Sequence, residues 1–139
     1  MIVLDTNVLS ALMRTEPDSA VVSWLDRQSP ESIWTTAVTV LEVKFGLELL
    51  AEGRRRQHLE SAFAQMLRQD LQDRVLPFDQ AAAEEAARLA ARRQRNGRSV
   101  DFRDTEIAGI VLARRATLAT RNRRHFEDLE IDLVDPWSG

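Results

Sequence analysis

A chain of 139 residues is long enough to bury a hydrophobic core and of a size for one domain, expected over 1–139. It has no cysteine, which excludes a disulfide framework, a thiolate metal site and a cysteine nucleophile. The formal net charge of −3 argues against a broadly basic nucleic-acid surface, so any contact of that kind must come from local clusters.

The elements read in chain order alternate between short β-branched runs and longer helical patterns. Ile2-Val3-Leu4 is expected to be a buried strand that ends at Asp5. A helix is expected over roughly 18–28, a strand over 32–35, and helices over 37–51 and 54–71. A third strand over 74–76 ends at Pro77, and the Ala-rich stretch within 79–96 is strong helix former, stopped by Gly97. A last helix over 103–115 precedes strands over 117–120 and 131–134, the latter closed by Pro136. Strands alternating with helices imply an α/β fold: a central parallel sheet flanked by helices on both faces. No apolar run approaches the roughly 20 residues that span a bilayer, and the opening residues lack a basic n-region. A cytoplasmic protein with no membrane partner is expected.

Arginine carries nearly all the positive charge, Lys44 being the one lysine. It clusters at Arg54-Arg55-Arg56, at Arg92-Arg93, and at Arg121 with Arg123-Arg124. The first two clusters read as solvated helix faces. The third lies beside a segment that a reaction centre would use, and its planar guanidinium forks suit phosphate oxygens.

Three carboxylates stand where apolar residues are expected. Asp5 follows a strand, where open α/β sheets bind ligands, and with Thr6 and Asn7 brings three polar side chains to one strand end. A helix N-cap explains Asp5 equally well. Glu42 is four residues after Val38, three before Phe45 and seven before Leu49, so it reads as part of an apolar stripe. A core-facing carboxylate is costly unless paired or bound to metal. Asp104 stands in the same relation to Ile107, Ala108 and Val111, although with Asp101 as N-cap it also suits a first helical turn. If the three converge, a divalent cation offsets their repulsion, and oxygen-only donors suit Mg²⁺ or Mn²⁺.

Met1-Ile2-Val3-Leu4-Asp5-Thr6-Asn7-Val8-Leu9-Ser10 resembles the opening of PIN domains, particularly bacterial VapC-type toxins. Thr35 through Gly46 is similar to their second acidic segment, Asp104-Thr105-Glu106-Ile107-Ala108 to the third, and Leu118 through Phe126 to the segment that closes the site. Asp135-Pro136-Trp137 resembles the family's terminal Asn-Pro-Trp. The resemblance runs the length of the chain. It implies a PIN fold in which Asp5, Glu42 and Asp104 form an acidic triad holding Mg²⁺ or Mn²⁺, with Thr6 and Asn122 supporting the carboxylates and Arg121 meeting a phosphate. It implies an endoribonuclease in which water attacks RNA in line, leaving a 5′-phosphate and a 3′-hydroxyl. It also implies a homodimer, a small antitoxin partner, and promoter DNA contacted only through that antitoxin; Trp24, Trp34 and Trp137 are candidates for the apolar contacts. His125 stands where the family often has a fourth acidic residue, which puts a second metal in doubt; an exposed loop role is the plainer reading.

Two other classes compete. A phosphatase or receiver with Asp5 as phosphoryl acceptor is disfavoured, because Asn7 occupies the position of a second aspartate and too few residues precede Asp5 for a receiver's acidic pair. A catalytically weak PIN-fold binding module, acting through its partners, remains the alternative that metal titration would separate.

Overall fold

Val3 and Leu4 are neighbours in β1 (Ile2–Leu4), and the pleat sends their side chains to opposite faces. Val3 enters a core with Leu89, Ile107, Val111, Leu118 and Phe126. Leu4 enters a second core with Leu9, Val21, Phe63, Leu71 and Ala119. A strand buried on both faces must be apolar at consecutive positions, which is why this short run is so hydrophobic.

The computed structural model describes residues 1–138. Around β1 stand β2 (Ile33–Thr36), β3 (Val75–Leu76), β4 (Thr117–Ala119) and β5 (Asp132–Val134). They form one sheet in the order β3-β2-β1-β4-β5, every pairing parallel. The helices are α1 (Thr6–Met13), α2 (Ser19–Asp26), α3 (Ala37–Leu49), α4 (Arg54–Gln65), α5 (Gln80–Arg95) and α6 (Phe102–Arg114). Side chains from α1, α2 and α4 cover the Leu4 face, and those from α5 and α6 cover the Val3 face. α3 serves both, giving Val38 to one core and Val43 and Leu47 to the other.

β1 is central. The chain moves outward to β2 and β3, then returns to place β4 on the other side of β1. Connections leaving β1 and β4 therefore diverge, which opens a crevice beyond their carboxyl ends. Asp5 is the first residue past β1, and its N–H donates to the Ala119 carbonyl at 2.9 Å. Thr120 is the first past β4.

α5 and α6 pack closely because small residues meet there. A Cβ on Gly109 would lie 2.5 Å from the Ala82 carbonyl oxygen and 2.9 Å from the Ala86 Cβ. The Ala-rich stretch thus supplies a smooth surface as well as helix propensity.

Several expectations need correcting. α1 is absent from the expected helices: its eight residues make only about two turns, too few for Thr6, Asn7 and Ser10 to reveal a period. The helix expected over 54–71 is α4 followed by one π-helical turn at Met66–Asp70. Of the apolar stripe assigned to Glu42 only Val38 is buried, since Phe45 is 50% and Leu49 71% exposed. The buried positions of α3 are Val38, Thr39, Val43 and Leu47, so past Val38 the inward stripe runs one residue around the helix from Glu42. Arg93 is no solvated residue either: it is buried, and its guanidinium grips both Asp128 oxygens at 2.9 Å and the His125 carbonyl at 2.6 Å. Trp24 is a core residue. No described helix is long and apolar enough to cross a membrane.

Candidate active site

Asp5 takes the N-cap role the sequence allowed it and also binds neighbours from a second strand end. It caps α1, with Oδ1 accepting from the Thr6 N–H at 2.8 Å. Its other oxygen, Oδ2, accepts from the Thr120 hydroxyl at 2.7 Å and from Asn7 Nδ2 at 3.4 Å. The Asn7 side-chain oxygen accepts in turn from the Arg121 N–H at 3.2 Å. The two strand ends are thereby tied together around one buried carboxylate.

Glu42 reaches the same place from α3. Its Oε1 accepts from the Thr6 hydroxyl at 2.9 Å, and its Oε2 lies 4.0 Å from Arg103 Nη1. Asp104 arrives from the first turn of α6, which Asp101 caps by accepting from the Asp104 N–H at 3.1 Å. The inward stripe of α6 is as expected, with Ile107, Ala108 and Val111 fully buried. His125 Nδ1 lies 2.7 Å from Asp104 Oδ2, the distance of a short hydrogen bond. His125 is therefore engaged at the site although half its side chain is exposed.

Asp5, Glu42 and Asp104 line one pocket of about 380 Å³, together with Thr6, Asn7, Ser10, Arg14, Arg121, Asn122 and Trp137. All three carboxyls are pushed above their ordinary values, in each case first by burial. Each also feels another member of the set: Asp104 raises Asp5, Asp5 raises Glu42, and Glu42 raises Asp104. Hydrogen bonds from Thr120, Thr6 and His125 oppose the rise at Asp5, Glu42 and Asp104 respectively.

Three mutually repelling acids around one open pocket are an incomplete charge arrangement, which a cation would complete. Oxygen donors without thiolate fit Mg²⁺ or Mn²⁺. Among the described residues no three acidic or imidazole side chains already form a ligand cage. An open half-shell of this kind suits a hydrated ion that keeps several of its own waters.

Of the supporting residues expected from sequence, Thr6 holds Glu42, while Arg121 lines the pocket and stacks 4.7 Å from the Trp137 ring. Asn122 also lines it, but its bond to the site runs from its backbone N–H to the Thr120 hydroxyl at 3.0 Å. The direct donor to Asp5 from this segment is Thr120, which the sequence reading passed over as the last residue of a strand. Asn7, expected at this strand end, lines the pocket too, as does Arg14, which the sequence did not single out; nor did it single out Arg103 beside Glu42. The polar run Thr-Arg-Asn at the end of a strand, like Asp-Thr-Asn at the end of β1, was the signal that could have found Thr120. A larger, mostly apolar cleft of about 540 Å³, lined by Leu9, Leu12, Val22, Leu25, Met66 and Leu71, contains none of the three acids.

A family model described as the PIN domain matches residues 2–131. The chain is 39% identical to VapC ribonuclease Y4jK of Sinorhizobium fredii (strain NBRC 101917 / NGR234), over 99% of this chain and 98% of that protein. It is 32% identical to toxin FitB of Neisseria gonorrhoeae (strain ATCC 700825 / FA 1090), over 99% of each. Among solved structures, FitAB bound to an IR36 DNA fragment superposes with a TM-score of 0.87 at 32% identity, covering 99% of this chain and 96% of that one. The chain belongs to the PIN-domain family, and its full-length relatives place it with the VapC-type toxins.

Proposed function

We propose that this protein is a metal-dependent endoribonuclease, the toxin of a toxin–antitoxin pair, with Asp5, Glu42 and Asp104 as its reaction centre. The observation that carries the reading is the convergence of three carboxyls, all raised, on one pocket at the carboxyl ends of β1 and β4. Asp5 and Asp104 would hold Mg²⁺ or Mn²⁺, and Glu42 would bind it or orient water. Such an ion neutralises charge on a phosphate and makes water acidic enough to act as a nucleophile at neutral pH.

The chain's own groups have defined tasks. Thr120, Asn7 and the Thr6 N–H fix the orientation of Asp5 before any substrate arrives. Thr6 aims Glu42, and His125 with the Asp101 cap aims Asp104. Arg121, held over Trp137, meets a phosphate of the bound strand. Relatives carry the printed descriptions VapC ribonuclease and toxin, which support RNA as the substrate. An antitoxin partner and a homodimer need apolar surface. The exposed side chains of Leu41, Phe45 and Leu49 on α3, with the apolar cleft, offer it. Contact with promoter DNA would be made through the antitoxin.

The decisive experiment incubates antitoxin-free protein with total RNA in Mg²⁺, Mn²⁺ or EDTA, beside an Asp5→Asn variant, with calorimetric titration of each metal. Cleavage that requires metal and disappears in the variant is expected. An Asp5→Asn protein that cleaves as the wild type does would sink the assignment. Absence of both cleavage and metal binding would favour the binding module.

A further inference from the structure

The pocket that holds the three acids has a neighbour through one shared residue. Arg14, the residue that closes α1, lines it and also lines a second cavity of about 430 Å³, shared with Thr15, Arg54, Arg55, His58 and Leu59. Three arginines and a histidine therefore surround a space that adjoins the carboxylate pocket, in a chain whose net charge is −3.

Their partners, or lack of them, distinguish these arginines. Arg56, their neighbour, is committed to the fold: it bridges Glu48 at 2.9 Å and Glu60 at 2.6 Å and donates to the Leu50 carbonyl. Arg14, Arg54 and Arg55 make no ion pair and no side-chain hydrogen bond among the described residues. Arg54 and Arg55 occupy the first turn of α4, where the helix dipole disfavours positive charge. Nothing internal compensates that placement. A negative group from outside would.

We propose that this basic cavity is a phosphate-binding subsite for the RNA strand, engaging a phosphate away from the scissile bond. The proposal rests on the nuclease reading above. A strand passing the carboxylate pocket meets repulsion from three acids, so cations on its flanks must hold it there. Arg121 stands on the wall formed by the β4 end, and Arg14 leads to Arg54 and Arg55 beyond α1. Guanidinium forks grip phosphate oxygens irrespective of base, so this subsite supplies affinity and alignment rather than sequence choice. Phosphate is favoured over an acidic peptide because the cavity shares Arg14 with the pocket in which a phosphodiester would react.

The test measures binding of a fluorescein-labelled single-stranded RNA 12-mer of mixed sequence by anisotropy, in EDTA to prevent cleavage, across a salt series. Wild type is compared with Arg54→Gln/Arg55→Gln and with a control, Arg68→Gln/Arg95→Gln, that removes two exposed arginines lining neither cavity. Two lost phosphate contacts should flatten the slope of log affinity against log salt by about 1.4, and weaken binding roughly 25-fold at about 0.1 M salt. The control should change neither. A cavity variant indistinguishable from the control, in a protein that still shows metal-dependent RNA cleavage, overturns the subsite and leaves the nuclease standing. A wild-type protein that neither binds nor cleaves RNA overturns both. A cavity variant that keeps its RNA affinity but loses affinity for a labelled polyglutamate peptide also overturns the proposal, in favour of an acidic peptide occupant.

Discussion

Replacing Thr120 by valine removes one hydroxyl and almost no volume, which makes it a clean probe of how the site is preorganised. Thr120 is fully buried, and its hydroxyl donates to Asp5 Oδ2 at 2.7 Å. A hydrogen bond to an ionised carboxylate contributes about 1.5–3 kcal/mol net, and the valine methyl recovers part of that by burial, so a loss of about 2 kcal/mol is expected at neutral pH. The loss must depend on pH. Burial holds the Asp5 carboxyl above its ordinary value, and the Thr120 hydroxyl is the strongest influence drawing it back down. Because the folded value is raised, stability from this group is fully present below the unfolded value and is lost as pH rises through the folded one. Without the hydroxyl the folded value rises further, so the penalty of Thr120→Val is small in acid and widens as Asp5 ionises. Urea unfolding in EDTA from about pH 4 to about pH 8 measures it, with Thr120→Ser as the variant that keeps the donor. In an Asp5→Asn background the pH-dependent part of the penalty should vanish. If Thr120→Val matches Thr120→Ser at every pH, the hydroxyl does not hold this carboxylate and the reasoning fails.

Two further predictions concern the frame around the site. Gly109→Ala drives a methyl group to 2.5 Å from a backbone oxygen of α5, which cannot retreat as a flexible side chain would. It should cost about 3 kcal/mol and lower the melting temperature by roughly 10 °C in calorimetry; an unchanged melting temperature would contradict the close helix crossing. Arg93→Met removes the buried guanidinium that holds the Asp128 carboxyl below its ordinary value. Asp128, still paired with Arg98 at 2.8 Å, softens the effect to about 2 kcal/mol at neutral pH. A lowered carboxyl contributes stability above its unfolded value and loses it as pH falls through the folded one, so wild type and variant should converge on acidification. Denaturation curves that stay equally far apart at low pH would refute this.

Much of the architecture was legible because it follows from periods and stops. Five apolar runs, each short and bounded, gave the five strands, and Gly97, with φ of 72°, sits just past the end of α5. α1 escaped because eight residues make only about two turns, too few for Thr6, Asn7 and Ser10 to reveal a period. Asp5 and Asp104 were legible for sound reasons, since one follows a strand and the other shares a stripe with buried Ile107 and Val111. Glu42 was found for a reason the structure does not support. Beyond Val38 its supposed core stripe faces solvent, and it reaches the pocket from the border of the helix, where its side chain is 21% exposed. Arg93 was misread because a charged residue in an arginine-rich helix looks solvated until its partner, 35 residues away, is known.

The sequence by itself determined the alternation of strand and helix, the oxygen-only chemistry of the candidate site and the family to which the chain belongs. These depend on local spacing and residue type, which a linear pattern carries. Only the tertiary structure decided which donors hold each acid: Thr120 on Asp5, Thr6 on Glu42, His125 on Asp104. It also separated the one ion-paired arginine of the triplet at the start of α4 from the two that face a cavity. Those assignments depend on parallel strands bringing residues more than a hundred positions apart within 3 Å, as for Thr120 and Asp5, and no local period encodes such a distance.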